Sequence, residues 1–299
     1  MKKSSLWLDI ESSIFKDTES INLETFRLPG NINNRLASWD PYENQTHRYF
    51  LNIVYNLASE MPERFFEIYA NIKKVSLGSP VSVKFKGLDI NIDYLLSAQE
   101  TLFLDKLLRG IKHVCEIGAG FGRTCHSIIE NFSNLESYTI IDLPGCMALS
   151  QRYLKAVLSA EHFKKICFLN YKQATNLSKV DLIINIDSFA EMEKTTVIKY
   201  LSLIDSNSRF FYSRNPICKY DLKRLGLKDA NPSNTELALE TGLCTEIIDI
   251  FDDESLSFAI EKYLKKYSPG KLWEITKNEI SKPWQYYHHV LYSKFNSLK

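Results

Sequence analysis

Directly after the apolar run "HVCEI" the chain reads Gly118-Ala119-Gly120-Phe121-Gly122-Arg123, so Glu116 heads the pattern E-x-G-x-G-x-G. Glycines in such a place permit a sharp turn at positive φ and let a ligand lie against bare backbone. A phosphate-binding P-loop needs Lys followed by Ser or Thr at the helix start, and neither Arg123-Thr124 nor the loop length supplies it. The dinucleotide fingerprint G-x-G-x-x-G/A needs a small last residue for helix–strand packing; counted from Gly118, that position is Arg123. A dinucleotide stays open but disfavoured. Asp142 closes the next apolar run, "SYTIID". An acid at the end of a second strand is placed to accept hydrogen bonds from both ribose hydroxyls, which points to a ligand containing a nucleoside. A third group, Asn185, Asp187, Ser188 and Glu191, follows the apolar run in "VDLIINIDSFAEM". If a helix begins near Ser188, Asp187 and Glu191 stand about one turn apart and can face one cleft, where a carboxylate serves as general base. The bland alternatives are helix capping for Asp187 and Ser188 and a solvated helix face for Glu191.

These residues need a scaffold that brings them together. From residue 111 short apolar strands alternate with helices: "HVCEIG", "SYTIID", "KICFLN", "VDLIINID", "RFFYSR", "TEIIDIFD" and finally "YYHHVLYSK". Such alternation predicts a doubly wound, mostly parallel α/β sheet, whose ligands sit outside the carboxyl ends of the strands. Upstream, "HRYFLNIVYNLASE" and "PERFFEIYANIKKV" carry helical periodicity. "VSVKFKGLDINID" reads as a small hairpin, and "YLLSAQETLFLDKLLRG" as a helix that Gly110 can end. Residues 1 to about 45 are irregular and rich in Asn, Pro and Gly.

The glycine pattern resembles motif I of the class I S-adenosylmethionine-dependent methyltransferases. The resemblance implies a Rossmann-like sheet of seven strands, mostly parallel with the last antiparallel, behind an N-terminal, mainly helical substrate or lid region. It implies S-adenosylmethionine as cofactor, with S-adenosylhomocysteine as product. Glu116 would help hold the amino acid end, and Gly118, Ala119, Gly120 and Gly122 would line it. Asp142 and Leu143 would meet the ribose side. Many members place an acid after strand three for the adenine amino group; here Asn170 stands in that place, and an amide oxygen can accept the same bond. "IIDLP", "LSQRYL" and "INIDSFAEM" together are similar to the sugar O-methyltransferases of bacterial polysaccharide loci. That likeness covers roughly residues 95 to 215. It implies methyl transfer to a sugar hydroxyl in surface glycan biosynthesis, with a sugar, nucleotide sugar or glycan as acceptor.

Transfer to oxygen is an in-line displacement that must align a nucleophile and remove its proton. Asp187 and Glu191 are the expected catalytic residues. Asn185 is expected on the cofactor side, and Ser188, Arg214 and His289 on the substrate side. His288 and His289 are strand neighbours, so at most one faces a given site. His47 and His126 read as structural, and Asn215 either contacts substrate or caps a turn. No metal ion is expected to be required.

Composition narrows the partners. The net charge is +1 on 299 residues, so no global field draws in nucleic acid. Residues 261–299 hold eight Lys and three acids, which either attract a phosphate-bearing acceptor or form a solvated basic face. No membrane span and no signal peptide are read, and six unpaired cysteines suit a reducing, cytoplasmic setting. The expected division is 1–108, a helical substrate or lid region, and 109–299, the cofactor domain; "SWDPYENQTHRYF" and the C-terminal "WQYY" supply aromatic rings that suit sugar faces or pack in the core. A homo-oligomer is left open. The competing readings are a small-molecule O- or N-methyltransferase with a non-sugar acceptor, and a non-catalytic scaffold of the same fold.

Overall fold

The computed structural model describes residues 46–222, 225 and 232–295. The expectations for the irregular first 45 residues lie outside that range. The chain forms two compact units, 1–53 and 54–299. Helix α1 (Thr46–Ser59) crosses the boundary, and the sheet lies in the second unit.

Helix α2 (Glu63–Asn71) leads to a two-stranded hairpin, β1 (Ser82–Phe85) and β2 (Leu88–Asn91). Lys86 and Gly87 turn it with φ of 48° and 80°, the paired positive angles of a primed hairpin turn. Asn91 then caps helix α3 (Ile92–Leu108) by accepting the Tyr94 N–H at 3.0 Å. The helix stops before Arg109-Gly110 without a left-handed glycine.

The strands that follow are β3 (His113–Ile117), β4 (Ser137–Asp142), β5 (Ile166–Asn170), β6 (Leu182–Ile186), β7 (Phe210–Pro216), β8 (Trp273–Ile280) and β9 (Tyr287–Lys294). They form one sheet in the order β5-β4-β3-β6-β7-β9-β8. The first five are parallel, and β9 runs against both its neighbours. This is the seven-stranded, mostly parallel α/β sheet with an antiparallel last strand that the motif resemblance implies. Between the strands lie α4 (Arg123–Asn131), α5 (Pro144–Val157), α6 (Ala160–Lys164), α7 (Lys194–Asn207), α8 (Pro232–Glu240) and α9 (Asp253–Lys266). Central β6 is buried at every position, as helices on both faces require. One core cluster centres on Ile183, Phe211 and Tyr263, the other on Val114, Ile128 and Tyr138.

Strand β3 sits between β4 and β6, where the winding reverses. The turn after β3 and the turn after β6 therefore open into one crevice, which is how residues some seventy positions apart in sequence become neighbours.

Two strand expectations need correction. "TEIIDIFD" is not a strand: Ile247 makes a single bridge with Lys219, and Ile250 is buried from a loop. The sixth strand is β8, whose residues after Trp273 are exposed. Its polar sequence forms a strand because it pairs along β9, and pairing with one neighbour leaves no apolar alternation to read. All six cysteines are free; Cys115, Cys125, Cys218 and Cys244 are buried, Cys146 is half-buried and Cys167 is exposed. Among the described residues no helix is long and apolar enough to cross a membrane.

Candidate active site

The glycine turn after β3 is shaped by close approach as much as by curvature. Gly118 has φ +75°, and a Cβ there would lie 2.2 Å from Ser188 Oγ. Only a hydrogen fits, so the turn after β6 seats Ser188 directly on the turn after β3. Gly120 has φ +58° and open space where a Cβ would stand, which leaves its backbone bare to the crevice. Ala119 is buried, and Gly122 caps α4.

Asp142 locks this turn from β4. Its Oδ2 accepts the Gly120 N–H at 3.0 Å and its Oδ1 accepts the Leu143 N–H at 2.7 Å. Each oxygen keeps further acceptor capacity. A cleft of about 380 Å³ opens here, lined by Gly118, Gly120, Asp142, Leu143, Tyr171 and Ser188, among others. Tyr200 and Glu191 belong to the same lining.

Glu116 stands behind the cleft instead of in its lining. It is 2% exposed, and Tyr138 Oη donates to its Oε2 at 2.8 Å. Burial pushes its carboxyl up to about 7, against the pull of the Tyr138 bond and of Arg123. Asn185 is fully buried too. Its Nδ2 donates to the Ile117 carbonyl at 2.9 Å and to Ser188 Oγ at 2.6 Å, while Asn215 Nδ2 donates to its Oδ1 at 2.8 Å. It braces the two turns from beneath. Asn170 lies outside the lining, its Oδ1 accepting the Lys172 N–H at 3.0 Å. Tyr171, the next residue, occupies the cleft wall.

Arg123, the residue that disfavours a dinucleotide fingerprint, has a defined packing role. Its Nη2 donates to Glu100 Oε1 of α3 at 2.9 Å and its Nη1 to the Asp93 carbonyl at 3.0 Å. Glu100 is wholly buried and also accepts from Thr124 Oγ1 at 3.3 Å. Arg214, 2% exposed, reaches the same carboxylate at 3.7 Å, and its Nε donates to Ser281 Oγ at 2.9 Å. Helix α3, helix α4 and strand β7 are thus joined through one buried carboxylate.

Asp187 follows β6 with φ +65°, a conformation that a non-glycine residue holds only when its surroundings over-determine it. Its N–H is fixed by the Arg214 carbonyl at 2.9 Å, and Tyr287 stands in the same cavity wall. A short 3₁₀ turn, Ser188–Ala190, then carries Glu191. Asp187 and Glu191 line a second cavity of about 350 Å³ with Lys219, Thr241, Pro216 and Tyr287. Glu191 lines both cavities and is the partition between them. Burial, then the neighbouring Asp187, raises its carboxyl above the ordinary carboxylate range, and Lys219 opposes the rise. The partition is clamped: Lys219 Nζ and Thr241 Oγ1 both donate to the Ala190 carbonyl, at 3.1 and 2.7 Å, and the Gly242 N–H donates to the Met192 carbonyl at 2.7 Å.

The histidines stand apart from both cavities. His289 Nδ1 meets Tyr212 Oη at 2.7 Å and its ring stacks on Phe103; His288 Nε2 meets Asn278 Oδ1 at 3.0 Å. Burial holds His289 well below its ordinary range and His288 at about 4, so both are neutral at pH 7. His126 is buried beside Tyr94 at 2.6 Å, and His47 is exposed. Arg214, expected on the substrate side, lines neither cavity and packs over the Tyr287 ring, 4.8 Å from its centroid. Among the described residues no group of three or more His, Cys, Asp and Glu side chains can hold a metal ion.

Sequence reasoning missed Lys219, Thr241 and Tyr171, while Tyr287 belongs to the "WQYY" segment whose rings were expected to suit a sugar. Glu100 did carry a signal, because an acid inside the apolar face of "LLSAQETLF" requires a partner. The others carried none, since their part in the site depends on where the crevice walls meet.

No family model and no curated protein sequence matches this chain. Among solved structures it is similar to the methyltransferase domain of bacterial CtHen1, at 12% identity and TM-score 0.48, covering 69% of this chain and all of that one. It is also similar to magnesium protoporphyrin IX methyltransferase from Synechocystis PCC 6803 with bound S-adenosylhomocysteine. There the identity is 16% and the TM-score 0.45, over 78% of this chain and 93% of that one. The mitomycin 7-O-methyltransferase is similar at 12% identity and TM-score 0.44, over 97% and 82%.

Proposed function

We propose that the protein is an S-adenosylmethionine-dependent O-methyltransferase whose acceptor is a sugar hydroxyl. The observation that carries this reading is the crevice at the sheet's switch point. A nucleoside-sized cleft with Asp142 and a bare Gly120 backbone abuts an acidic cavity across a single side chain, Glu191.

The residues fit the cofactor. Asp142 keeps acceptor capacity for ribose hydroxyls, Gly120 leaves room over its backbone, and Tyr171 and Tyr200 offer apolar faces to a base. Glu116 lies behind the turn, bonded to Tyr138, and lines neither cavity. When bound, S-adenosylmethionine supplies an electrophilic methyl group on a sulfonium. The chain's own task is to seat a hydroxyl against that methyl and take its proton. Asp187 Oδ atoms, carried by the strained backbone and beside Tyr287, are placed to accept it. Glu191, with its raised carboxyl, screens the transfer from water and is the second proton acceptor. Two carboxylates beside one lysine make this cavity unsuited to phosphate, so the basic excess near the C-terminus does not serve the reacting group. The expected divalent-metal independence, a role in bacterial glycan biosynthesis and the division at 108/109 belong to the same proposal; every residue named here for the acceptor lies on the C-terminal side of that division.

Calorimetry with S-adenosylhomocysteine tests the cofactor half. Binding in the micromolar range is expected, and no heat at millimolar ligand removes the reading. Transfer of labelled methyl from S-adenosylmethionine to hexopyranosides tests the acceptor half.

A further inference from the structure

The acidic cavity does not end at Tyr287. A second chamber of about 220 Å³ shares Pro216, Lys219, Ala238 and Tyr287 with it as a common wall. The two chambers differ in chemistry. The first holds both carboxylates and the Thr241 hydroxyl, and the second holds no acid. Its walls are Tyr220, Tyr286, Leu239 and Cys218. Tyr220 and Tyr286 meet edge to face with centroids 5.0 Å apart. Tyr286 and Tyr287 follow at 5.1 Å. A continuous tyrosine wall therefore runs from Tyr287, in the lining shared with Asp187, to the far end of the annex.

We propose that the acceptor is a glycan of at least two linked sugar rings. The ring bearing the reacting hydroxyl sits beside Asp187 and Glu191, and its neighbour stacks on Tyr286 and Tyr220. This rests on the sugar-hydroxyl reading above. The acidic chamber alone lies near the lower end of cavities that hold a small organic molecule, roughly 300–1,000 Å³, and with the annex it lies well inside that range. A sugar ring presents an apolar C–H face and a polar edge, which matches an aromatic wall tipped with hydroxyls. Lys219 stands at the junction, its Nζ held by the Ala190 carbonyl, and offers a donor to the oxygen that links the two rings.

The test is saturation-transfer and titration NMR on the full chain loaded with S-adenosylhomocysteine. The ligands are methyl hexopyranosides and the methyl disaccharides built from them. Disaccharides are expected to bind about tenfold tighter than the corresponding monosaccharides, the gain of one stacked ring. Leu239→Trp, which fills the annex, and Tyr220→Ala, which removes its wall, are each expected to bring the disaccharide down to the monosaccharide level. Monosaccharide binding with no gain on lengthening overturns the annex, as does a gain that survives both variants. Absence of binding by any saccharide, with S-adenosylhomocysteine still bound, overturns the sugar reading and this inference with it.

Discussion

Asp142→Asn isolates the joint between the two strands that make the cofactor cleft. The carboxylate accepts two backbone N–H groups on two different oxygens, Gly120 at 3.0 Å and Leu143 at 2.7 Å. An amide has one oxygen, so one of these N–H groups must face an NH₂. The side chain is 9% exposed, and water cannot freely replace the lost acceptor. Losing one charge-assisted bond costs about 1.5–3 kcal/mol. Because Gly120 lies at the cleft wall, that cost falls on the ligand-bound geometry, and any ribose bond to the displaced oxygen is lost with it. The expected result is S-adenosylhomocysteine binding weakened about 10- to 150-fold, with thermal stability lowered by a few degrees. Isothermal calorimetry reads the first and a melting curve the second. Affinity within twofold of the unmodified protein, in a variant that is fully folded, would refute both the cofactor placement and the role of Asp142 in holding the glycine turn.

Four further outcomes follow from the same geometry. Glu116 is raised by burial to about 7, so the folded state holds a proton that the unfolded state has released. Stability contributed by this group is present below about pH 4.5 and is lost as pH rises through about 7. Glu116→Gln, measured by urea unfolding, is expected to add roughly 1–3 kcal/mol at pH 8 and nothing at pH 4.5; an equal effect at both would contradict the assignment. Glu100→Gln removes the one carboxylate shared by Arg123 and Arg214, and a loss of about 3–5 kcal/mol in the same assay is expected. Asp187→Gly relieves a left-handed non-glycine residue, so stability should rise by about 1 kcal/mol while methyl transfer drops by about a hundredfold or more. A rate unchanged by that substitution shows that Asp187 is not the base. Lys219→Met removes the cation that holds the Glu191 carboxyl down, so the acid limb of the kcat/KM profile should move to higher pH; a limb that stays in place would mean that Glu191 does not control it.

Much of the scaffold is legible along the chain. The β6 run "LIINI" is apolar because helices cover both its faces, and the Lys86-Gly87 turn announces its hairpin through backbone preference alone. Strand β8 fails this reading since an exposed edge strand needs only a partner, and "TEIIDIFD" fails it because its apolar residues pack from a loop. Within the site, Gly118, Gly120, Asp142, Asp187, Ser188 and Glu191 are brought together at the switch point. Asn170, Asn185, Glu116 and His289 are not in the cavity walls: they cap, brace or pack, engaged by neighbours that the spacing of residues does not reveal.

The sequence by itself determined the strand–helix alternation, the turn that must be glycine, and the acids that close β4 and β6. These are local matters, because φ, hydrophobic run length and residue type are properties of a few adjacent positions. Only the tertiary structure decided which acids face a cavity and which lie behind it. The reversal of winding at β3 sets Ser188 against Gly118, and the antiparallel return of β9 brings Tyr287 to Asp187. Glu191 became a partition, Lys219 a junction and Tyr287 a shared wall because walls from β6, β7, α8 and β9 converge there, and convergence across so many positions is a property of the folded chain alone.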